Sequence, residues 1–287
     1  MIQNIKYIFI LFLQNPSPRF SVNPFMEYLL IALIAFATAL LTFFSGFGLG
    51  TILMPVFAIF FPVEIAIALT AIVHLLNNLF KATLIWKHID FKTVALFAIP
   101  AALMALVGAL LLSVLSTDII VFSYHLGESF LEVTLVKFVI ALLLVVFAVI
   151  EIDRRFEKFS FSRKFLPLGG SLSGFFGGLS GHQGALRSMF LLRAGLTKEG
   201  FIATSIASAV LIDVSRLSVY GLSFFSRHFE SVSGDSAFYM VVTACLAAFV
   251  GSFFGRKVLR KITMRSVQLI VGVMIIVLAV LLGTGFI

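Results

Sequence analysis

The sequence predicts an all-α polytopic membrane protein, made of two inverted-topology repeats of about five helical segments each, with broken or short helices near the bilayer midplane. Composition is the first reason. The 287 residues are 61% apolar and only 12% charged, too few polar side chains to cover a water-soluble domain of this size. A duplicated polar pattern is the second. Glu64, Ala68, Thr70, Asn78 and Lys81 recur at the same spacing as Glu199, Ala203, Ser205, Asp213 and Arg216. Each copy follows a glycine-rich stretch, Ser45-Gly46-Phe47-Gly48-Leu49-Gly50 or Gly177-Gly178-Leu179-Ser180-Gly181-His182-Gln183-Gly184. A duplicated, glycine-broken membrane unit points to a small-solute transporter. Helices are preferred to a barrel because no ten-residue alternating strand pattern appears, and backbone groups in lipid must be satisfied internally.

In chain order, residues 1–25 read as an interfacial lead-in. Ile5 to Leu13 is apolar but too short to span, Asn15-Pro16-Ser17-Pro18 ends it, and no convincing cleavage site follows. Met26 offers a second start. Apolar segments run over 26–45, 47–61, 64–85, 93–115 and 133–151, then over 165–181, 185–197, 199–222, 237–256 and 266–285. The charged stretch 152–164 links membrane repeat 1 (26–151) to repeat 2 (165–287). About 20 apolar residues span the hydrocarbon as a helix, so the second segment of each half, 47–61 and 185–197, is short. Glycines precede both, and Pro55 lies inside the first. Short segments interrupted at matching positions predict discontinuous helices. Glu64 and Glu199 open their helices, where a carboxylate suits the positive end of the dipole. The stretch 116–132 reads as a loop.

Charge bias, the third reason, orients the chain. Loop 86–92 carries Lys87 and Lys92. The linker carries Arg154, Arg155, Lys158, Arg163 and Lys164, and loop 256–265 carries Arg256, Lys257, Arg260, Lys261 and Arg265. Loop 116–132 has no basic residue, and 223–236 has only Arg227. The basic loops are expected in the cytoplasm, with the protein in the cell membrane, a bacterial inner or plasma membrane. Segment 64–85 then ends inside and 199–222 ends outside, so the halves are inverted. The net charge of +8 belongs to these short loops and is no nucleic-acid footprint. Cys245 is the single cysteine; it permits no intrachain disulfide and no cysteine metal set. No metal or cofactor is expected.

Over residues 26–285 the chain resembles the TauE/SafE family of membrane transporters, a sulfite-exporter-like group. The resemblance rests on Ser45-Gly46-Phe47-Gly48-Leu49-Gly50-Thr51-Ile52-Leu53-Met54-Pro55, on Gly178-Leu179-Ser180-Gly181-His182-Gln183-Gly184-Ala185, and on the Ala-x-Thr/Ser that follows each. The second copy departs from the family pattern: Met189 stands where proline is usual, and His182-Gln183 replace small residues. The resemblance implies alternating-access transport of a small anion, sulfur-containing such as sulfite or an organosulfonate, or a related organic anion. The implied partners are the lipid bilayer, the anion and a proton as coupling ion. A homodimer stays open.

An anion leaving water needs compensation. Broken helices supply it through unpaired N–H groups and positive dipole ends. Gly46, Gly48, Gly50, Gly181 and Gly184 would bring backbone up to the substrate; close helix packing needs glycine equally. His182, Gln183 and Arg187 form the sharpest local cluster, and Arg187 can hold an oxyanion through two parallel hydrogen bonds. Thr70, Ser205 and Ser208 carry hydroxyls that can donate to an anion or bond back to the preceding turn. His74, Asn77 and Asn78 share a helix, and His74 can titrate near neutral pH. Asp213 and Arg216 sit three apart and can pair. Asp213 serves proton coupling or a structural ion pair. Snorkelling to the interface is the ordinary expectation for Lys81 and Arg216.

An enzyme and a passive channel or scaffold compete with the transporter. Gly178-Leu179-Ser180-Gly181 matches the GxSG nucleophile motif of rhomboid intramembrane proteases. Such a serine needs a histidine from another helix, and after Ser180 only the adjacent His182 and the loop residue His228 occur. No enzymatic activity is therefore expected.

Overall fold

The computed structural model describes residues 24–43, 48–116, 119–127, 129–153, 155, 161–192, 194–227, 235–258 and 264–287. Gly46, His228 and nearly all of the lead-in lie outside the described residues. The described helices, in order, are α1 (Pro24–Leu41), α2 (Leu49–Ala58), α3 (Val63–Ile85), α4 (Phe91–Leu115), α5 (Leu135–Ile152), α6 (Leu166–Ser180), α7 (Gly184–Leu191), α8 (Lys198–Arg227), α9 (Asp235–Val258) and α10 (Met264–Gly283). Each falls on one of the apolar segments read from the sequence. Five stretches, Val63–His88, Phe91–Leu115, Leu135–Ile152, Lys198–Leu222 and Ala237–Arg256, are long and apolar enough to cross a membrane. This is an integral membrane protein.

The second helix of each set of five is short. At about 1.5 Å per residue, the 10 residues of α2 reach about 15 Å and the 8 residues of α7 about 12 Å, against about 30 Å of hydrocarbon. Left-handed glycines make the breaks: Gly48 (φ 111°) before α2 and Gly181 (φ 81°) after α6. A side chain at either position would be strained.

Glycine also sets the helix packing. On α6, Gly170, Gly174 and Gly178 recur every fourth residue. A Cβ on them would lie 2.0, 1.9 and 2.1 Å from the carbonyl oxygens of Phe97, Ala101 and Ala105 on α4. The rising order on both helices shows that they run parallel and pack backbone to backbone. Gly251 and Gly255 on α9 meet Phe36 and Leu40 on α1 in the same parallel sense. Helices α3 and α8 run antiparallel: His74 meets Asp213, while Asp90, just beyond α3, donates its N–H to Thr204 Oγ1 at 3.1 Å. Helices α5 and α10 are antiparallel too, with Gly272 beside Ile152 and Gly283 beside Ala141.

The expected loop 116–132 is corrected by a β-hairpin. β1 (Ile120–Leu126) pairs antiparallel with β2 (Ser129–Thr134), and Gly127 turns between them at φ 65°. The run Ile120-Val121-Phe122-Ser123-Tyr124 is β-branched and aromatic, which favours a strand; its length is too small for the spanning-strand pattern. Tyr124 donates its hydroxyl to Thr284 O at 2.7 Å, tying the hairpin to the end of α10.

The basic segments gather on one face. Arg163 Nη2 donates to Thr93 Oγ1 at 3.3 Å and lies 4.0 Å from Asp90, and Lys87, Lys198 and Arg256 border one cavity. Asp90 caps α4 by accepting the Thr93 N–H at 2.7 Å. That bond, assisted by the charges of Arg163 and Lys92, holds its carboxyl below the usual carboxylate range.

Candidate functional site

The two copies of the polar pattern meet inside the protein. On α3, Thr70, His74, Asn78 and Lys81 follow at intervals of four, four and three residues, so they share one face. The matching face of α8 carries Ser205, Asp213 and Arg216. Because the helices are antiparallel, the stripes cross at His74 and Asp213.

Asp213 is the hub. Its Oδ2 accepts from His74 Nδ1 at 2.6 Å. Its Oδ1 accepts from Arg216 Nε at 3.0 Å, Arg216 Nη2 at 2.7 Å and Gln183 Nε2 at 3.0 Å. Arg216 Nη1 reaches Gly177 O at 3.1 Å. With Nδ1 protonated towards Asp213, His74 keeps Nε2 as an acceptor, and the Asn78 amide nitrogen lies 3.3 Å from it. Gln183 links this hub to the second cation, since its Oε1 accepts from Arg187 Nη1 at 2.9 Å. Arg187 Nε donates to Ser205 Oγ at 2.8 Å. Ser173 holds the Gln183 backbone through a 2.9 Å bond.

Snorkelling of Lys81 and Arg216 is contradicted. Arg216 is 1% and Lys81 4% exposed, and Arg187 is fully buried. Arg216 turns inward because a carboxylate three residues back offers charge-assisted bonds that lipid does not. Lys81 Nζ lies 5.7 Å from the centre of the Phe43 ring. Among the described residues three basic side chains, Lys81, Arg187 and Arg216, are buried against two acids, Asp213 and Glu151, and Asp213 is the one that bonds within this cluster. The other buried acid, Glu151, sits at the end of α5 beside Gly272.

The remaining candidates divide. Gly50 opens onto the cluster, with its Cβ position 3.7 Å from His74 Cδ2 and 3.8 Å from Thr70 Cγ2. Gly181 puts backbone against Arg216, whose Nη1 is 3.3 Å from its Cβ position. Gly184 begins α7. Gly48 makes the turn and packs on Thr42. Ser208 bonds back to Thr204 O at 2.8 Å, so its proton is already donated. Asn77 accepts from Ser252 Oγ at 2.8 Å. His182 donates Nδ1 to Ser180 O at 2.8 Å and stacks on Phe147. Thr70 Oγ1, Asn77 Nδ2, His182 Nε2 and Ser188 Oγ are buried without a hydrogen-bond partner among the described residues. Glu64 and Glu199 lie in the first turns of α3 and α8.

In the GxSG match, Gly178 is pressed on Ala105, and Ser180 Oγ donates to Phe176 O at 3.0 Å; among the described residues no histidine side chain bonds the Ser180 hydroxyl. Sequence reading missed Tyr220, whose hydroxyl donates to Gly178 O; its place four residues after Arg216, on the same helix face, was the available signal. It also missed Phe43, Phe147, Ser173 and Ser252, which lie on other helices or beyond helix ends and show no shared spacing with the cluster.

A family model described as sulfite exporter TauE/SafE matches residues 31–282. No curated protein and no solved structure matches the chain. The chain belongs to the TauE/SafE family of membrane transporters.

Proposed function

We propose that this TauE/SafE member carries a small sulfur-containing anion, sulfite or an organosulfonate, across the cell membrane by alternating access, with the anion held where α7, α3 and α8 meet. The carrying observation is that buried basic side chains outnumber buried acids about Asp213 among the described residues. A net positive interior is costly in low dielectric unless an anion shares it. Arg187 and the Ser205 hydroxyl supply donors, the first turn of α7 adds backbone N–H groups, and Gly50 and Gly181 let backbone come close. A sulfonate or sulfite offers two oxygens to the guanidinium fork.

The His74–Asp213 pair fits a proton-coupling role. His74 can take a second proton at Nε2 while Asp213 holds Nδ1, and the arrival of an anion would favour that protonation. The antiparallel pairs α3/α8 and α5/α10, and the gathering of basic loops on one face, support an inverted repeat with that face in the cytoplasm. The halves 26–151 and 165–287 would then rock about the cluster.

The test is a thermal-shift screen of purified protein against sulfite, sulfonates, sulfoacetate and carboxylates, followed by flux in proteoliposomes. A substrate at 100 times its Kd should stabilise the protein by about 2.7 kcal/mol. Arg187→Ala should abolish that shift and lower flux while the protein still folds. Unchanged flux of sulfite and several sulfonates in Arg187→Ala would remove Arg187 from the site.

A further inference from the structure

A cavity of about 760 Å³ opens on the basic face. It lies between the end of α3 with its following turn, the first turn of α8 and the end of α9. Lys87, His88, Lys198 and Arg256 border it, with Glu199 as the one acid among its lining residues. Such a rim concentrates small anions and repels cations.

Lys81 lies one helical turn inward of the cavity wall, behind Ile85 and Phe43. Ile85, four residues further along the same face of α3, and Ile202 on α8 both line the cavity, as does Phe43. That same Phe43 ring lies over the buried Lys81 ammonium. Among the described residues no carboxylate pairs with Lys81. Residues 44–47, next to Phe43, contain no charged side chain. An ammonium held by a ring face and by no carboxylate exchanges that contact readily for an oxyanion, which offers charge-assisted hydrogen bonds. Inward from Lys81, Asn78 and His74 continue the same helix face, and the antiparallel register brings Arg187 and Ser205 to this end of the cluster.

We propose that Lys81 is a second anion-binding station, covered by Phe43, which takes a small oxyanion from the cation-rimmed cavity before Arg187 and Ser205 receive it. The station rests on the anion-transport reading above, and the experiment below separates the two.

The probes are a small sulfonate and its cationic analogue: the 2-sulfonatoethyl and 2-(trimethylammonium)ethyl methanethiosulfonates. Each is applied to full-length protein in detergent, with each rate divided by that of a free thiol. Wild type, whose Cys245 is buried, is the blank. Phe43→Cys should react at least about tenfold faster with the anionic reagent. Adding Lys81→Met should cut that ratio several-fold, Lys81→Arg should keep it, and sulfate should slow the anionic reaction. Ile202→Cys, on the cavity wall, gives the same comparison where Phe43→Cys folds poorly. A ratio near or below one, a ratio indifferent to Lys81→Met, or no reaction with either reagent would overturn the station. Anionic preference that depends on Lys81, without sulfite or sulfonate flux in proteoliposomes, would leave the station standing and defeat the transport reading. Arg187-dependent flux without the preference would do the reverse.

Discussion

The two helix breaks share a backbone device and differ in chemistry. At the 135-residue offset from Glu64 to Glu199, Gly48 corresponds to Gln183 and Ile52 to Arg187. Helix α2 buries no charged side chain, Thr51 being its one buried polar residue; α7 buries Arg187 and Ser188 beside Phe190 and Leu191. The difference teaches that the backbone interruption can be repeated while the charge is not. A cation at position 52 as well would add one more buried basic group beside the same carboxylate, Asp213, which low dielectric penalises. The first half contributes from α3 instead, through His74, Asn78 and Lys81.

Asp213 and its counterpart Asn78 give the largest contrast. Asp213→Ala strips His74, Arg216 and Gln183 of a shared acceptor and should cost about 3–5 kcal/mol of stability. Asn78→Ala removes one neutral contact and should cost about 1 kcal/mol. Thermal unfolding of both proteins in one detergent measures the gap, and equal losses would show that the halves share the load.

Giving the second break the residues of the first is the next test. Gln183→Gly combined with Arg187→Ile should lower sulfite or sulfonate flux by about 100-fold, roughly 2.7 kcal/mol, with residual folding judged by far-UV circular dichroism. Retained flux would mean that α7 carries no more chemistry than α2.

Glycines sharpen the comparison further. Gly178→Ala forces a Cβ to 2.1 Å from Ala105 O and should destabilise by about 1–3 kcal/mol. Gly50→Ala, with nothing nearer than 3.7 Å, should stay within about 0.5 kcal/mol but reduce anion binding, because its methyl group points at His74 and Thr70. The reverse order in unfolding midpoints would exchange their roles.

The smallest effect lies outside both breaks. Asp90→Ala removes the α4 cap and should cost about 1 kcal/mol at neutral pH. Because the folded protein holds this carboxyl below its ordinary value of about 4, its stabilisation is present above that value and fades as pH falls through the depressed one. The deficit of Asp90→Ala should therefore shrink in acid, and unfolding midpoints across a pH series will show whether it does.

The membrane class, the apolar segments, both glycine breaks and the basic loops were legible in the chain, because each is written in local composition and one-dimensional spacing. Helical spacing also put Asp213 and Arg216 within pairing reach. Spacing is blind to what a face meets. The inward turn of Lys81 and Arg216, the Gln183 bridge between Asp213 and Arg187, and the Phe43 ring over Lys81 depend on helices brought together from distant parts of the chain. Gly178 looked like part of a nucleophile motif until the packing of α6 on α4 showed its neighbour. The sequence alone determined where the chain can bury itself in lipid and where it must break, because those are properties of each segment's own solvation. The tertiary structure decided which polar groups share one interior, because backbone contact between glycine-lined helices and antiparallel register set which side chains come within hydrogen-bond reach.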